Sequence, residues 1–360
     1  MRAKWFLIMI GVSAALTACA PPGTQPSPEA APIAMPLQAH MVQTRQVLSS
    51  DRAASWNLTQ IRQDAVELRG TSQARVVVAV MDTGADPGHP ALSPRMYPPI
   101  DVVGTDIYRG AGTAVNYTGL DGNGHGTHVA GLVAAVSTGA DVKVLPVKVI
   151  PNSGVGDDKL LSDGIDKALA WRDPADPSVR VRILNLSVSS PRTSERLKSA
   201  IRRATDAGVL VVGASGNEGR GVEFPSTMDE VLSVGATTVE DRIAGYSCFG
   251  DVLDMAAPGG SDDTPVYSTW PSYMTSTDYS EGIGAPHPVA GLVGTSMAAP
   301  HVSGTAAVLW SLHPAASARQ IRQTLLAMAD DRGAVGPDPH FGFGRLNFHR
   351  AFTGDRHDAR

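Results

Sequence analysis

Five short, largely apolar runs recur along this chain, at residues 75–81, 142–150, 179–188, 208–214 and 231–236. A strand covered on both faces has no polar side, so it reads as a continuous apolar run and not as an alternation. The stretches 126–136, 157–171 and 194–207 between these runs, and 296–312 and 318–329 after them, predict helices. From Asp157 to Leu169 apolar residues fall at helical spacing, and acids stand at the start, where the helix dipole favours them. Alternating β and α units predict an α/β fold, a doubly wound, mainly parallel sheet with helices on both faces. Sites in such sheets form beyond the carboxyl ends of the strands, and Asp82 stands directly after the first run.

Composition supports a folded body. With 360 residues, 42% hydrophobic and 18% charged, the chain can bury a sizeable core. The net charge of −5 supplies no basic field, which argues against nucleic acid as a partner. No internal repeat and no second domain stand out, so residues 56–352 read as one unit and 353–360 as a tail.

The first residues read as an address. Arg2 and Lys4 precede a short apolar run from Trp5 to Leu16, the pattern of an export signal over residues 1–18. Leu16-Thr17-Ala18-Cys19 resembles a bacterial lipobox, which implies cleavage before Cys19 and lipid on its sulfur, hence a membrane partner. The alternative is an ordinary signal peptide that happens to contain a cysteine. Ala20, where an Asp is absent, suggests the outer membrane. Residues 19–55 follow as a linker, rich in Pro and Ala up to about residue 37. Cys248 then remains as a thiol with no intrachain partner, read as a small buried hydrophobe.

Three further segments carry chemistry. They are Val76 to Gly84 with Asp82, Asp121 to Gly131 with His125, and Gly291 to Gly304 with Ser296. Each residue alone has a bland reading, as a turn, a helix start or a cap. Together they stand in the chain order Asp, His, Ser. On these motifs the chain resembles the subtilisin-like serine peptidases (subtilases) over nearly all of 56–352, ending in Phe341 to Asn347.

That resemblance implies a serine endopeptidase with Ser296 as nucleophile, His125 as base and Asp82 holding the imidazole. It also implies an oxyanion donor at Asn217, in Ala214-Ser215-Gly216-Asn217-Glu218-Gly219. His128 is then structural. The implied substrate is a protein or peptide held as an added strand between segments 186–190 and 212–216. Ser187, Val188, Ser189, Ala214, Ser215 and Gly216 are the expected contacts. Ser189 and Ser190 stand where the family pattern has glycines, which suggests a narrowed pocket preferring small or medium side chains.

No cofactor is implied. His125 and His128 could open a metal site, but no HExxH or Cys/His cluster accompanies them. The family's calcium loop is missing between residues 134 and 143, so calcium is expected only at some unidentified site, if at all. The stretch between Cys19 and Trp56 is short and Pro-rich for a folded pro-domain, which raises a chaperone or inhibitor acting in trans. The loop 269–293 is long and is expected beside the site, as a lid or a docking loop. A catalytically silent or partner-gated binding module on the same fold is the alternative reading.

Overall fold

The computed structural model describes residues 55–68, 70, 72–104, 109–110, 113–114, 119–274 and 288–354. The expected signal segment, Cys19, the linker to residue 54, the loop centre 275–287 and tail residues 355–360 lie outside the described residues.

The strands begin with β1 (Val76–Asp82), β2 (Ile100–Asp101), β3 (Arg109–Gly110), β4 (Thr113–Ala114), β5 (Val142–Lys148) and β6 (Val181–Leu186). They continue with β7 (Leu210–Ala214), β8 (Val231–Thr237), β9 (Met255–Pro258), β10 (Val266–Thr269) and β11 (Val289–Leu292). The helices are α1 (Trp56–Gln60), α2 (His125–Val136), α3 (Asp158–Ala170), α4 (Glu195–Asp206), α5 (Thr295–Leu312), α6 (Ala318–Ala327) and α7 (Phe348–Thr353).

Seven strands form one parallel sheet in the order β2-β5-β1-β6-β7-β8-β9. The five predicted runs are all strands of this sheet, trimmed by a residue or two at some ends. The sequence reading missed β9, whose Met-Ala-Ala-Pro has no β-branched residue, and β2, which is two residues long. The strand order reverses around β1, and Asp82 ends β1 at that switch point.

Alternation along β1 divides the core. Val76, Val78 and Val80 pack with Val129 and Val133 of α2 and with Val302 and Ala306 of α5. Val77, Ala79 and Met81 pack on the other face with Leu161 and Ile165 of α3 and Leu197 and Ile201 of α4. Both outer helices are amphipathic and capped, Asp157 accepting from the Leu160 amide and Ser194 from the Leu197 amide. By contrast α2 and α5 are apolar all round and run through the core. Every residue of α2 is buried except His125, and every residue of α5 except Ser296. The doubly wound fold is as expected. Between α2 and β5 only residues 137–141 intervene, and α2 itself is uninterrupted.

Candidate active site

Asp82 lies at the carboxyl edge of the sheet, and its side chain is fully buried. Its Oδ1 accepts from His125 Nδ1 at 2.8 Å and from the Thr83 amide at 2.7 Å. A carboxylate only accepts, so Nδ1 carries the proton and Nε2 is left with its lone pair. Burial works against the His125 imidazolium. The charge and hydrogen bond of Asp82, with the charge of Asp121, outweigh that and raise its pKa above the ordinary histidine value.

The approach of His125 to Asp82 depends on Gly126. A Cβ there would meet the Gly84 carbonyl oxygen at 2.1 Å and Asp82 Cβ at 3.1 Å. Asp121, fully buried, gathers the turn. Its Oδ1 accepts from the Asn123 and Gly124 amides and Thr83 Oγ1, and its Oδ2 from the Thr127 amide and hydroxyl. Thr83 Oγ1 in turn accepts from the Gly126 amide at 2.9 Å. One carboxylate thus satisfies amides that the start of α2 leaves open. Asp121 was visible in the sequence only as the first residue of a motif.

Ser296 occupies the first turn of α5. Pro300 lies four residues on and has no N–H, so the Ser296 carbonyl lacks its helical donor. Ser187 Oγ supplies one at 2.8 Å, and Ser296 Oγ donates back to the Ser187 carbonyl at 3.2 Å. Behind Ser187 a buried chain continues, with Asn185 Nδ2 donating to Ser187 Oγ and Ser303 Oγ donating to Asn185 Oδ1. Asn185, like Arg182, interrupts the apolar run of β6, a signal that could have been read. The side chain of Ser187, expected as a substrate contact, is buried and donates to the nucleophile helix.

Asn217 follows β7, at the same edge. The Thr295 amide and hydroxyl both donate to its Oδ1 at 2.9 Å. An amide N–H is only a donor, so the oxygen's place is fixed and Nδ2 is left to donate beside Gly294.

The segment 212–216, expected as a strand-pairing edge, begins inside the sheet. There β7 pairs with β6 as far as Gly213 and with β8 as far as Ala214, so beyond Gly213 its β6 side is open. The Ser215 amide donates to Val234 and its carbonyl accepts from Glu223, while Gly216 bonds Thr295 Oγ1 and the Cys248 amide. Ala214, Ser215 and Gly216 therefore form a wall. In the other segment Val188 is buried, and Ser189 is partly exposed.

His128 is buried. Its Nε2 lies 3.0 Å and 3.1 Å from the carbonyls of Val266 and Ala290, where it donates. Burial and the neighbouring His125 push its pKa down to about 3. It pins the antiparallel β10–β11 pair to α2. The described start of the long loop is fixed against the turn that precedes His125. Tyr273 Oη bonds the Asp121 amide and carbonyl, Ser272 donates to Asp86, and the Trp270 ring lies against Gly124. Among the described residues no group of three or more His, Cys, Asp or Glu side chains could hold a metal.

The profile of the subtilase family matches residues 73–344. The chain belongs to the subtilase family. Among relatives of this subtilase, subtilisin DY of Bacillus licheniformis is 34% identical over 81% of this chain and 96% of its own. Subtilisin Savinase of Lederbergia lenta is 34% identical over 79% of this chain and 94% of its own. The minor extracellular protease Epr of Bacillus subtilis (strain 168) is 31% identical over 86% of this chain, which spans 44% of Epr's length. The crystal structure of a lanthipeptide protease superposes with a TM-score of 0.69 at 26% identity, covering 84% of this subtilase and 94% of that chain. This subtilase is a subtilisin-like serine endopeptidase by family, and its substrates are proteins or peptides.

Proposed function

We propose that this subtilase hydrolyses peptide bonds of exported proteins or peptides through Asp82, His125 and Ser296, held at a membrane surface by lipid on Cys19. The observation that carries the catalytic reading is the 2.8 Å bond from His125 Nδ1 to the buried Asp82 carboxylate. It leaves Nε2 as a base at the sheet edge where Ser296 is the one unburied residue of α5. Ser296 Oγ leaves the Ser187 carbonyl and attacks the scissile carbonyl carbon as its proton passes to Nε2. The C–N bond breaks as that proton moves to the leaving amine, and an acyl ester stays on Ser296. Water then adds with His125 again taking a proton, which returns to Ser296 as the acid departs. Asn217 Nδ2 and the Ser296 amide meet the charge that grows on the carbonyl oxygen.

No cofactor takes part. The peptide runs along residues 187–189, opposite the wall at 214–216. Residues 1–18 are removed on export, 19–55 act as tether, and 56–352 form the catalytic unit. No helix among the described residues is long and apolar enough to cross a membrane, and the lipobox supplies the anchor instead.

The test is cleavage of casein by the full-length, detergent-solubilised protein and by its Ser296→Ala variant. Cleavage that disappears in the variant is expected. A folded wild type that cuts nothing would return the partner-gated module.

A further inference from the structure

We infer that Glu223 makes the pocket beside Ser296 select a basic residue, Lys or Arg, immediately before the scissile bond. This rests on the reading of Ser296 as nucleophile, and the tests below separate the two.

The pocket lies where two strands part. β6 and β7 stay paired as far as Leu186 and Gly213. Past that point the chain runs through Ser187–Ser190 on one side and Ser215–Asn217 on the other. Residues 223–224 join the two segments again. Phe224 exchanges main-chain hydrogen bonds with Ser190 at 2.7 and 3.1 Å, and the Glu223 amide donates to the Ser215 carbonyl at 2.8 Å. They close the far end of a gap whose near end holds Ser187, Ser296 and Asn217.

The side chain at that closure is a carboxylate. Glu223 is 5% exposed, and its Cγ and Oε2 both lie 3.0 Å from the place a Cβ would take on Gly216. Gly216 has φ +109, so a side chain is disfavoured there on backbone grounds as well. Glu223 Oε1 accepts from Arg220 Nη2 at 3.2 Å, while Oε2 has no hydrogen bond among the described residues. The Arg220 side chain is 60% exposed, against 4% for Glu223. Oε2 has no hydrogen bond yet is not fully enclosed, so it stands open to a donor entering the gap.

A substrate Lys or Arg brings a cation on an apolar stem into this gap and supplies the donors that Oε2 lacks. An aliphatic or aromatic side chain would seal the carboxylate away with none. Selectivity arises from the gain with one class and the penalty with the other. Ser190 Oγ accepts from the Arg192 amide at 3.1 Å. On this inference charge at Glu223, more than bulk at Ser189 and Ser190, sets the preference.

The experiment compares kcat/KM for matched reporter peptides that differ only in carrying Arg, Lys, Leu or Phe before the cleaved bond. The full-length wild type should favour Arg and Lys over Leu and Phe by about tenfold or more. Glu223→Gln, checked for folding by thermal melt, should shrink the Arg-to-Leu ratio by about tenfold. Arg220→Ala removes an exposed competitor and should raise that ratio. A wild type preferring Leu or Phe, or a ratio unmoved by folded Glu223→Gln, would overturn the inference.

A second arm needs no turnover. Calorimetry on the Ser296→Ala protein should show peptide amides ending in Arg binding more tightly than those ending in Leu, with the difference lost when Glu223→Gln is added. Equal binding of the two peptides would overturn the inference. If Arg peptides are preferred while Ser296 proves unreactive, the pocket stands and the catalytic reading falls.

Discussion

Ser187 and Ser296 each donate a hydroxyl hydrogen bond to the other's main-chain carbonyl, at 2.8 Å and 3.2 Å. The first bond replaces the helical donor that Pro300 removes. It fixes the first turn of α5 to the end of β6, and with it the direction in which the nucleophile points. Ser187→Ala leaves the Ser296 carbonyl without its donor, which should cost about 1–3 kcal/mol of stability. Turnover should fall with it. Urea unfolding and kcat measured on one preparation check both.

The pH dependence of activity follows from His125. Nε2 accepts a proton only when the ring is neutral, and Asp82 with Asp121 raises the ring's pKa despite its burial. The acid limb of the kcat/KM profile should therefore lie above the ordinary histidine value of about 6.5. The same shift stabilises the fold below that pH, and this contribution is lost as pH rises through the folded-state pKa. Asp82→Asn should move the limb down and lower kcat sharply, as the ring loses the partner that fixes its tautomer. Initial rates from pH 5 to 9 decide it.

Gly126→Ala places a carbon 2.1 Å from the Gly84 carbonyl oxygen. Backbone meets backbone there, so the start of α2 must move away from β1 and the Asp82 to His125 bond must lengthen. The variant should fold with a reduced melting temperature and lose most of its activity. Wild-type activity in this variant would show that the turn has slack the geometry denies.

Two buried histidines should make the fold acid-sensitive. His128 is held down at about 3 and His301 at about 4, in each case chiefly by burial. His301 Nδ1 donates to the Met297 carbonyl, so its Nε2 accepts from Asn57 Nδ2 at 2.8 Å. Both folded-state values are depressed, so their contribution is present above about pH 6.5 and erodes as pH falls and the unfolded chain takes up protons that the folded chain refuses. Between about pH 6 and 4 the loss should reach up to about 3 kcal/mol per pH unit for the pair. Melting temperatures across this range measure it, and His301→Gln should flatten the slope.

Much of this was legible in the sequence because burial leaves plain marks. The continuous runs of β1 and β5–β8 follow from being covered on both faces, and the positions of Asp82, His125 and Ser296 follow from where those runs and the core helices start and stop. What was not legible depends on contacts distant in the chain. The bond from Ser187 Oγ to the Ser296 carbonyl was not legible because the two residues lie 109 apart in the chain. How far the neighbours of β7 accompany it was not legible, because a strand run does not reveal where its pairing stops. Glu223 went unremarked because nothing local in Val222-Glu223-Phe224 indicates that the chain turns back there to close a gap.

The central claim is an assembled nucleophile and base at Ser296 and His125. A fluorophosphonate probe on the purified protein, with the label located by mass spectrometry, tests it most directly. The account predicts label on Ser296 that His125→Ala abolishes. An unlabelled, well-folded wild type, or labelling that His125→Ala leaves intact, would contradict it.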